Sequence, residues 1–531
     1  MKRYKYFLIP IVLVSLVITS CVKDLDTTPN DPNVTTSAVF NDTSAIAYKE
    51  FLAKIYGGLV LTGRGTNGGW GESDITVNDE GTASYLRQYW CAQELTTEDA
   101  VNGWNDADIN ELHFQKWSAA NGFIKLMFNR IYYNIGISNE FIRTAKKHVG
   151  NMSGTLKDDV TRYIAEVRFL RALSYYHNLD MFCGDASVPF VTEKDPVGSF
   201  FPNPIDRVNL YNYVVSELKA IDEDLADPRT NEYGRVDKAA AWFLLSKIYL
   251  NAEVYTGTAK WDSCIIYCNK ITDAGYSIHP DYAELFMADN HLCTDEIIFA
   301  VNQDGNHTQN YGGSTYLIFA AIGGSMTPAD YGVSGSWGGN RVTSGLVNKF
   351  NLANDSRAMF YTSGQSLEIN NIATFTDGYA SVKFTNKTST GADGSNSNFP
   401  DTDVPLFRLA DVYLMYAEAT IEGATNGNAT TALDYVNALR ERAYGNTSGN
   451  ISSVELTTDF ILNERARELW WECTRRTDLI RHGQFSDGSY VWPWKGGVSA
   501  GTQTSSIYDI FPIPSSEMTA NPKLTKNNNG Y

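Results

Sequence analysis

The run DDVTRYIAEVRFLRALSYYHNLDMF (158–182) contains no Gly or Pro and is apolar over a broad face. That pattern fits a long helix that is largely buried, not one with a narrow apolar stripe. A chain that buries such a helix must surround it with others. LYNYVVSELKAIDEDL (210–225) is amphipathic, and Pro228 follows its end. VDKAAAWFLLSKIYLNAEVY (236–255) sets small alanines beside Trp242, Leu245 and Tyr249, which lets two helices approach closely. AKWDSCIIYCNKITDAG (259–275) ends on Gly275, a favoured residue past a helix C-terminus. Two further helices, ADVYLMYAEATIEG and NATTALDYVNALRERA, make a unit over 410–443 of the length of a tetratricopeptide repeat. Such a pair cannot bury both faces alone, so pairs must stack. The sequence predicts a mainly α fold: a tetratricopeptide-repeat-like scaffold, built from segments distant in the chain, that presents long irregular loops.

Those loops are 62–84, 300–400 and 484–506, rich in Gly, Ser, Asn and Thr. Long irregular segments inside a folded protein are usually functional or disordered, and these keep aromatics, which argues for order. Trp70 sits in GGWGESD, Trp104 in VNGWNDAD, Tyr311 opens YGGSTY, and Trp337 sits in GVSGSWGGNR (332–341). Any one ring has an ordinary explanation, packing under its own loop. Rings repeatedly flanked by Gly, Asn, Asp or Ser point to a ligand. A pyranose has an apolar C–H face and a fringe of hydroxyls; an aromatic takes the face and polar side chains take the fringe. Each ring contributes about 0.5–1.5 kcal/mol beyond area burial. Trp337 is therefore expected to stand exposed, with a sugar as its partner.

The N-terminus reads as a processing signal. MKRYKY is basic, and FLIPIVLVSLVI is too short to span a bilayer. Ile18, Thr19 and Ser20 lead into Cys21, the pattern of a bacterial lipobox. Acyl chains on Cys21 would anchor the protein firmly, and VKDLDTTPNDPN would be a flexible tether. No other segment approaches a membrane span in length, so the body is expected to be soluble. The formal charge is −18, and the signal removes Lys2, Arg3 and Lys5, leaving the mature chain near −21. That disfavours nucleic acid and anionic head groups and suits a neutral ligand. The six remaining cysteines (91, 183, 264, 268, 293, 473) form no CxxC pair and are expected to be buried free thiols.

Enzyme signatures are weak. GRGTNG (63–68) lacks the following helix that a dinucleotide fingerprint needs. GVSAG (497–501) lacks the strand and helix of a nucleophile elbow. The histidines are scattered, so no catalytic metal is expected, and no cofactor is implied. Asp401 with Asp403, or Glu464 with Glu468, would supply the two carboxylates of a glycosidase. However, Glu464, Arg465, Arg467 and Glu468, with Arg475, Arg476, Asp478 and Arg481 beyond, read better as an intramolecular ion-pair network.

Several stretches resemble the SusD/RagB lipoproteins of Bacteroidetes: IAEVRFLRALSYYHNLDMFCGDASVPF (164–190), DTDVPLFRLADVYLMYAEA (401–419), ILNERARELWWECTRRTDLIRHGQF (461–485) and FPIPSSEMTANPKLTKNNNGY (511–531). The stretches 79–104, 284–290, 303–317 and 490–497 are similar to the family's founding starch-binding member. The resemblance implies a non-catalytic outer-membrane protein, facing the cell exterior, that holds starch or malto-oligosaccharides and passes them to a SusC-like TonB-dependent transporter. It implies a glycan arc of Trp104, Tyr311 and Trp337, with Arg87 reaching hydroxyls. The segment after Trp104 is one residue shorter than in the starch binder, and Asp106 is expected to substitute for an Asn contact. The implied organisation is a signal peptide (1–20), a lipidated tether (21–40), an N-terminal helical region (41–283) and a C-terminal family region (284–531). A surface glycoside hydrolase and a scaffold that binds only protein are the alternatives. The variant Cys21→Ala is expected to lose incorporation of radiolabelled palmitate and to leave the membrane fraction; unchanged fractionation would refute the anchor.

Overall fold

The computed structural model describes residues 39–64, 73–77, 79–198 and 200–531. The signal, Cys21, Trp70 and most of GRGTNG lie outside the described residues. No described helix is long and apolar enough to cross a membrane.

The chain enters through α1 (Ala45–Val60) and, after a short 3-10 turn at Glu80–Ala83, α2 (Tyr85–Gln93) and α3 (Ala107–His113). Next comes an antiparallel pair, α4 (Gly122–His148) and α5 (Gly154–Met181). The Asn121 side chain accepts from Ile124 N–H at the start of α4, and Lys146, Lys147 and His148 occupy its last turn, each suited to its end of the helix dipole. α5 is the long run from the sequence, and every residue from Phe169 to Met181 is buried.

The scaffold follows as α6 (Arg207–Ala220), α7 (Lys238–Leu250), α8 (Trp261–Thr272), α9 (Gly313–Phe319), α10 (Leu409–Glu422) and α11 (Ala429–Tyr444). α8 packs on both α7 and α10, so the stack joins segments well over a hundred residues apart. Tyr413 of α10 lies flat on Tyr435 of α11, ring centres 3.9 Å apart. α6 stops at Ala220, short of the amphipathic run, and 221–224 form turns. α7 ends at Leu250, and the rest of its run continues as a separate turn of helix, Ala252–Thr256. The six described cysteines are free and buried, as expected.

The Arg- and Glu-rich stretch 461–485 is not one helix. α12 (Thr458–Leu469) and α13 (Arg475–Arg481) are separated where Trp471 and Cys473 adopt φ of 64° and 62°. Such backbone costs a non-glycine residue energy. It is held because Trp470 and Trp471 are fully buried and Trp471 Nε1–H donates to Asp99 O at 2.9 Å.

Strands are few. β1 (Val101–Asn102) pairs antiparallel with β5 (Asn340–Arg341), β2 (Val188–Phe190) with β3 (Asn203–Ile205), and β4 (Ile297–Val301) with β6 (Val404–Arg408).

The predicted ion-pair network is present and wider than the sequence suggested. Arg357 binds Asp355 (2.8 Å), Glu464 (2.7 Å) and Glu468 (3.0 Å). Arg408 binds Glu296 (2.8 Å), Glu468 (2.6 Å) and Glu472 (2.6 Å). Arg442 joins Glu296 to Glu468, and Lys383 takes Glu472. All these side chains are buried. Burial alone would raise the Glu464 carboxyl, but Arg357, Arg467 and Arg440 outweigh it and hold it down to about 2. Glu464 and Glu468 are thus consumed by internal pairing. Asp403 accepts from Tyr233 O–H and Gln303 N–H, and Asp401 from Gly305 N–H and Ser395.

Removing one partner leaves an uncompensated buried charge, which typically costs about 3–5 kcal/mol. Glu464→Gln is expected to lose stability on that scale in denaturant unfolding at pH 7. Because the folded-state value lies below the unfolded 4.5, the gap to wild type is full above about pH 4.5 and closes as pH falls toward about 2. A gap independent of pH across that window would refute the assignment.

Candidate ligand-binding site

The glycines of GVSGSWGGNR have separate geometric reasons. Gly332 has φ of +71°, and a Cβ there would lie 2.3 Å from Asn386 O. Gly338 has φ of +58°, and a Cβ on Gly339 would lie 2.7 Å from Trp104 Cε2. The loop is zipped onto the end of α9: Trp337 N–H donates to Phe319 O, Gly338 N–H to Ile322 O, and Gly339 and Asn340 N–H to Ala320 O, all at 2.7–2.9 Å. Trp337 packs on Phe319, ring centres 5.2 Å apart. It is half-buried, which corrects the expectation that it stands exposed. The loop has no period of its own, but α9 lies beneath it, and the sequence did not show that helix.

Trp104 arrives from the other side. β1 pairs with β5, so Val101 faces Arg341 and Asn102 faces Asn340. Asn102 Oδ1 accepts from Trp104 N–H at 2.7 Å, and Asn102 Nδ2–H donates to Asn340 Oδ1 at 2.7 Å. Trp104 Nε1–H donates to Trp337 O at 3.2 Å. The two indoles stand 6.4 Å apart and inclined at 52°, both half-buried. Strand pairing and an indole hydrogen bond therefore preset the angle between two rings 233 residues apart in the chain.

Arg87 on α2 lies behind this pair. Its guanidinium is 5.5 Å from the Trp104 ring, 4.7 Å from Tyr316 and 5.8 Å from Phe123. At 5% exposure it is a buried cation held by aromatic faces, not a side chain reaching outward, which corrects that expectation. Its Nη1–H donates to Asp79 at 3.3 Å, and Asp79 is exposed. Asp79 was not among the candidates that the sequence offered; its signal was the DEG turn preceding α2.

Tyr311 sits against the same turn. Its N–H donates to Glu80 Oε2 at 3.0 Å, its ring packs on Phe399 at 5.3 Å, and it is half-buried. A Cβ on Gly81 would lie 2.6 Å from Tyr311 O, so only glycine permits this approach. Burial, with Asp79 beside it, raises the Glu80 carboxyl to about 7 against the opposing Tyr311 N–H, Arg87 and Arg130. Asp106 is exposed at the start of α3, two residues beyond Trp104, and its side chain makes no capping bond. A continuous series of contacts thus runs from Trp337 through Trp104, Arg87 and Asp79 to Glu80 and Tyr311, with Asp106 alongside. The arrangement offers two inclined, half-buried rings, with the exposed Asp79 and Asp106 on the segments that flank them.

A family model described as the SusD family matches residues 355–531. A starch-binding protein, SusD, of Bacteroides thetaiotaomicron is 33% identical over 98% of this chain and 97% of its own length. A SusD-like protein of Formosa agariphila is 27% identical over 69% of this chain and 73% of its own. The chain belongs to the SusD family. Among solved structures, a SusD homologue from B. thetaiotaomicron superposes with a TM-score of 0.71 at 19% identity, covering 94% of this chain and 99% of that one. The surface glycan-binding protein A of B. thetaiotaomicron, in complex with laminarihexaose, superposes with a TM-score of 0.67 at 18% identity, covering 91% and 99%.

Gly339→Ala is expected to push Trp104 off its hydrogen bond to Trp337 while the helical signal in far-ultraviolet circular dichroism stays intact. The near-ultraviolet indole bands should change. Unchanged bands would show that the ring pair does not depend on that close approach.

Proposed function

We propose that this protein binds starch-type glycans at the cell surface without cutting them, and passes them to a SusC-like TonB-dependent transporter. It sits on the outer membrane through acylated Cys21, facing the exterior. The observation that carries the reading is the inclined Trp104–Trp337 pair with exposed carboxylates beside it. Two rings at 52° follow a curved chain better than a flat one, and α-1,4-linked glucose curves. Trp104, Trp337 and Tyr311 take the sugar faces. Asp106 and Asp79 accept from hydroxyls, and Arg87 steadies both Trp104 and Asp79 from behind. The 33% identity to a starch-binding relative supports the same substrate class. The carboxylates raised as a hydrolase pair are engaged inside the fold, which supports a binding role over a catalytic one.

The test is calorimetry of residues 22–531 with maltoheptaose and a cyclic maltodextrin, with laminarin and xylan as controls. Each ring supplies about 0.5–1.5 kcal/mol beyond area burial, so Trp104→Ala and Trp337→Ala are each expected to weaken α-glucan binding about tenfold or more once lost burial is added. No reducing ends should appear. Binding to laminarin alone would change the substrate; indifference of both variants would move the site elsewhere.

A further inference from the structure

Two more aromatic rings lie close to the candidate site and outside the core. Trp494, in WPWKGG, and Phe114, at the end of α3, stack on one another with ring centres 6.0 Å apart and planes inclined at 28°. Both are half-buried, and neither packs against the hydrophobic core. Burial in the core, the ordinary fate of a tryptophan, therefore does not account for Trp494. Its loop is built to hold the ring. Trp494 adopts φ of 70°, which costs a non-glycine residue energy. Lys495 is fully buried, donates to Asp487 O at 2.9 Å and Tyr490 O at 2.8 Å, and lies over the Trp492 ring. Trp494 N–H donates to Val498 O, and Thr502 N–H to Lys495 O. Trp494 Nε1–H donates to Ile369 O at 2.9 Å, so this indole is tied down by its edge, as Trp104 is.

The segment 369–377 joins this pair to the Trp104–Trp337 site. At one end Ile369 O holds the Trp494 indole. In the middle, a Cβ on Gly103 would lie 2.9 Å from Ile372 O, so the segment passes directly beside the residue before Trp104. At the other end Phe375 abuts the Trp337 loop, where a Cβ on Gly338 would lie 3.8 Å from Phe375 Cδ2. The segment is pinned. Arg341 of β5 donates through Nη2–H to Ile372 O at 2.5 Å and through Nε–H to Asp377 O at 2.8 Å. The Asp377 carboxylate accepts from Asn370 N–H at 3.0 Å and Asn371 N–H at 2.8 Å. From Ile369 to Ile372 is at most about 11 Å of extended chain. A second route agrees: from Asp106 to Phe114 along α3 is about 12 Å of helix. Asn370 and Asn371 are exposed on the segment between the two ring sites, and Lys116 is exposed beside Phe114.

We propose that Trp494 and Phe114 form a second sugar-stacking platform, which takes the far end of the same α-glucan chain while Asn370, Asn371 and Lys116 meet its hydroxyls. The inference rests on the reading of the Trp104–Trp337 pair as a glycan site and deepens it, because it sets the chain length that the protein selects. The chemistry repeats that of the first site: an aromatic face for the C–H face of a pyranose, with amides beside it for the fringe. Two sites on one ligand add through effective concentration. A chain long enough to reach both gains affinity, and one confined to the first pair does not.

The test is calorimetry of residues 22–531 with maltotriose and with maltoheptaose. Trp104→Ala should weaken both. Trp494→Ala should weaken maltoheptaose about two- to tenfold, while maltotriose, too short to bridge the two ring sites, binds as to wild type. Trp494→Phe keeps a ring against Phe114 and should recover much of the loss. A readout on the unmutated protein guards against a collapsed loop. In protein labelled with 5-fluorotryptophan, the fluorine resonance that vanishes in Trp494→Phe identifies Trp494. It should move with maltoheptaose and stay in place with maltotriose. Maltoheptaose binding that needs Trp104 and ignores Trp494, with the Trp494 resonance unmoved, overturns this inference alone. A Trp494 resonance that moves equally with both sugars also overturns it, by making the platform a separate site and not an extension. No binding of either sugar to wild type would remove the functional reading and this inference with it.

Discussion

Buried arginine–carboxylate pairing is the interaction on which the rest of this structure depends. Glu296, Arg357, Arg408, Arg442, Glu464, Glu468 and Glu472 come from five separate segments and meet in one buried lattice. Each ion is buried, so each depends on its partners. Apolar packing tolerates small shifts; a bidentate guanidinium tolerates few. The lattice therefore sets how the helical pairs dock, where packing alone would leave several similar arrangements.

A second set of such contacts transmits that order to the candidate site. Arg475 binds Glu98 at 2.5 Å, Tyr490 O–H donates to Glu98, and Thr343 Oγ1–H donates to Glu98 O. The break between α12 and α13 aims Arg475 at this carboxylate. Glu98 lies just before β1, and Thr343 just after β5. The two strands that set Trp104 against Trp337 are thus gripped on one side by a buried ion pair. Rings preset in this way lose little freedom on binding, which is where a flat, polar ligand such as a sugar gains affinity.

Much of the scaffold was legible because helices are local. The 158–182 run gave α5 its length within a few residues, and Gly275 takes the positive φ expected past a helix end. The aromatic loops were legible as ligand candidates from composition, and Trp104 and Trp337 do meet. Trp337 is half-buried, not exposed, because whether a loop ring is covered depends on what lies beneath, here Phe319 from a helix hidden in a glycine-rich stretch. Arg87, which the resemblance implies as reaching hydroxyls, is held under Trp104 instead. No local pattern distinguishes an arginine that points out from one that three aromatic rings enclose.

The sequence by itself determined the helical repeats, the burial of α5 and the set of loop aromatics. Each of these is read from neighbours a few residues apart, where periodicity and turn chemistry act directly. Tertiary structure alone decided which carboxylate meets which arginine, the inclination of Trp104 to Trp337, and the pairing of Asp79 with Arg87 behind Trp104. Those outcomes depend on contacts between residues tens to hundreds of positions apart, and their energies exist only once the chain has closed around them.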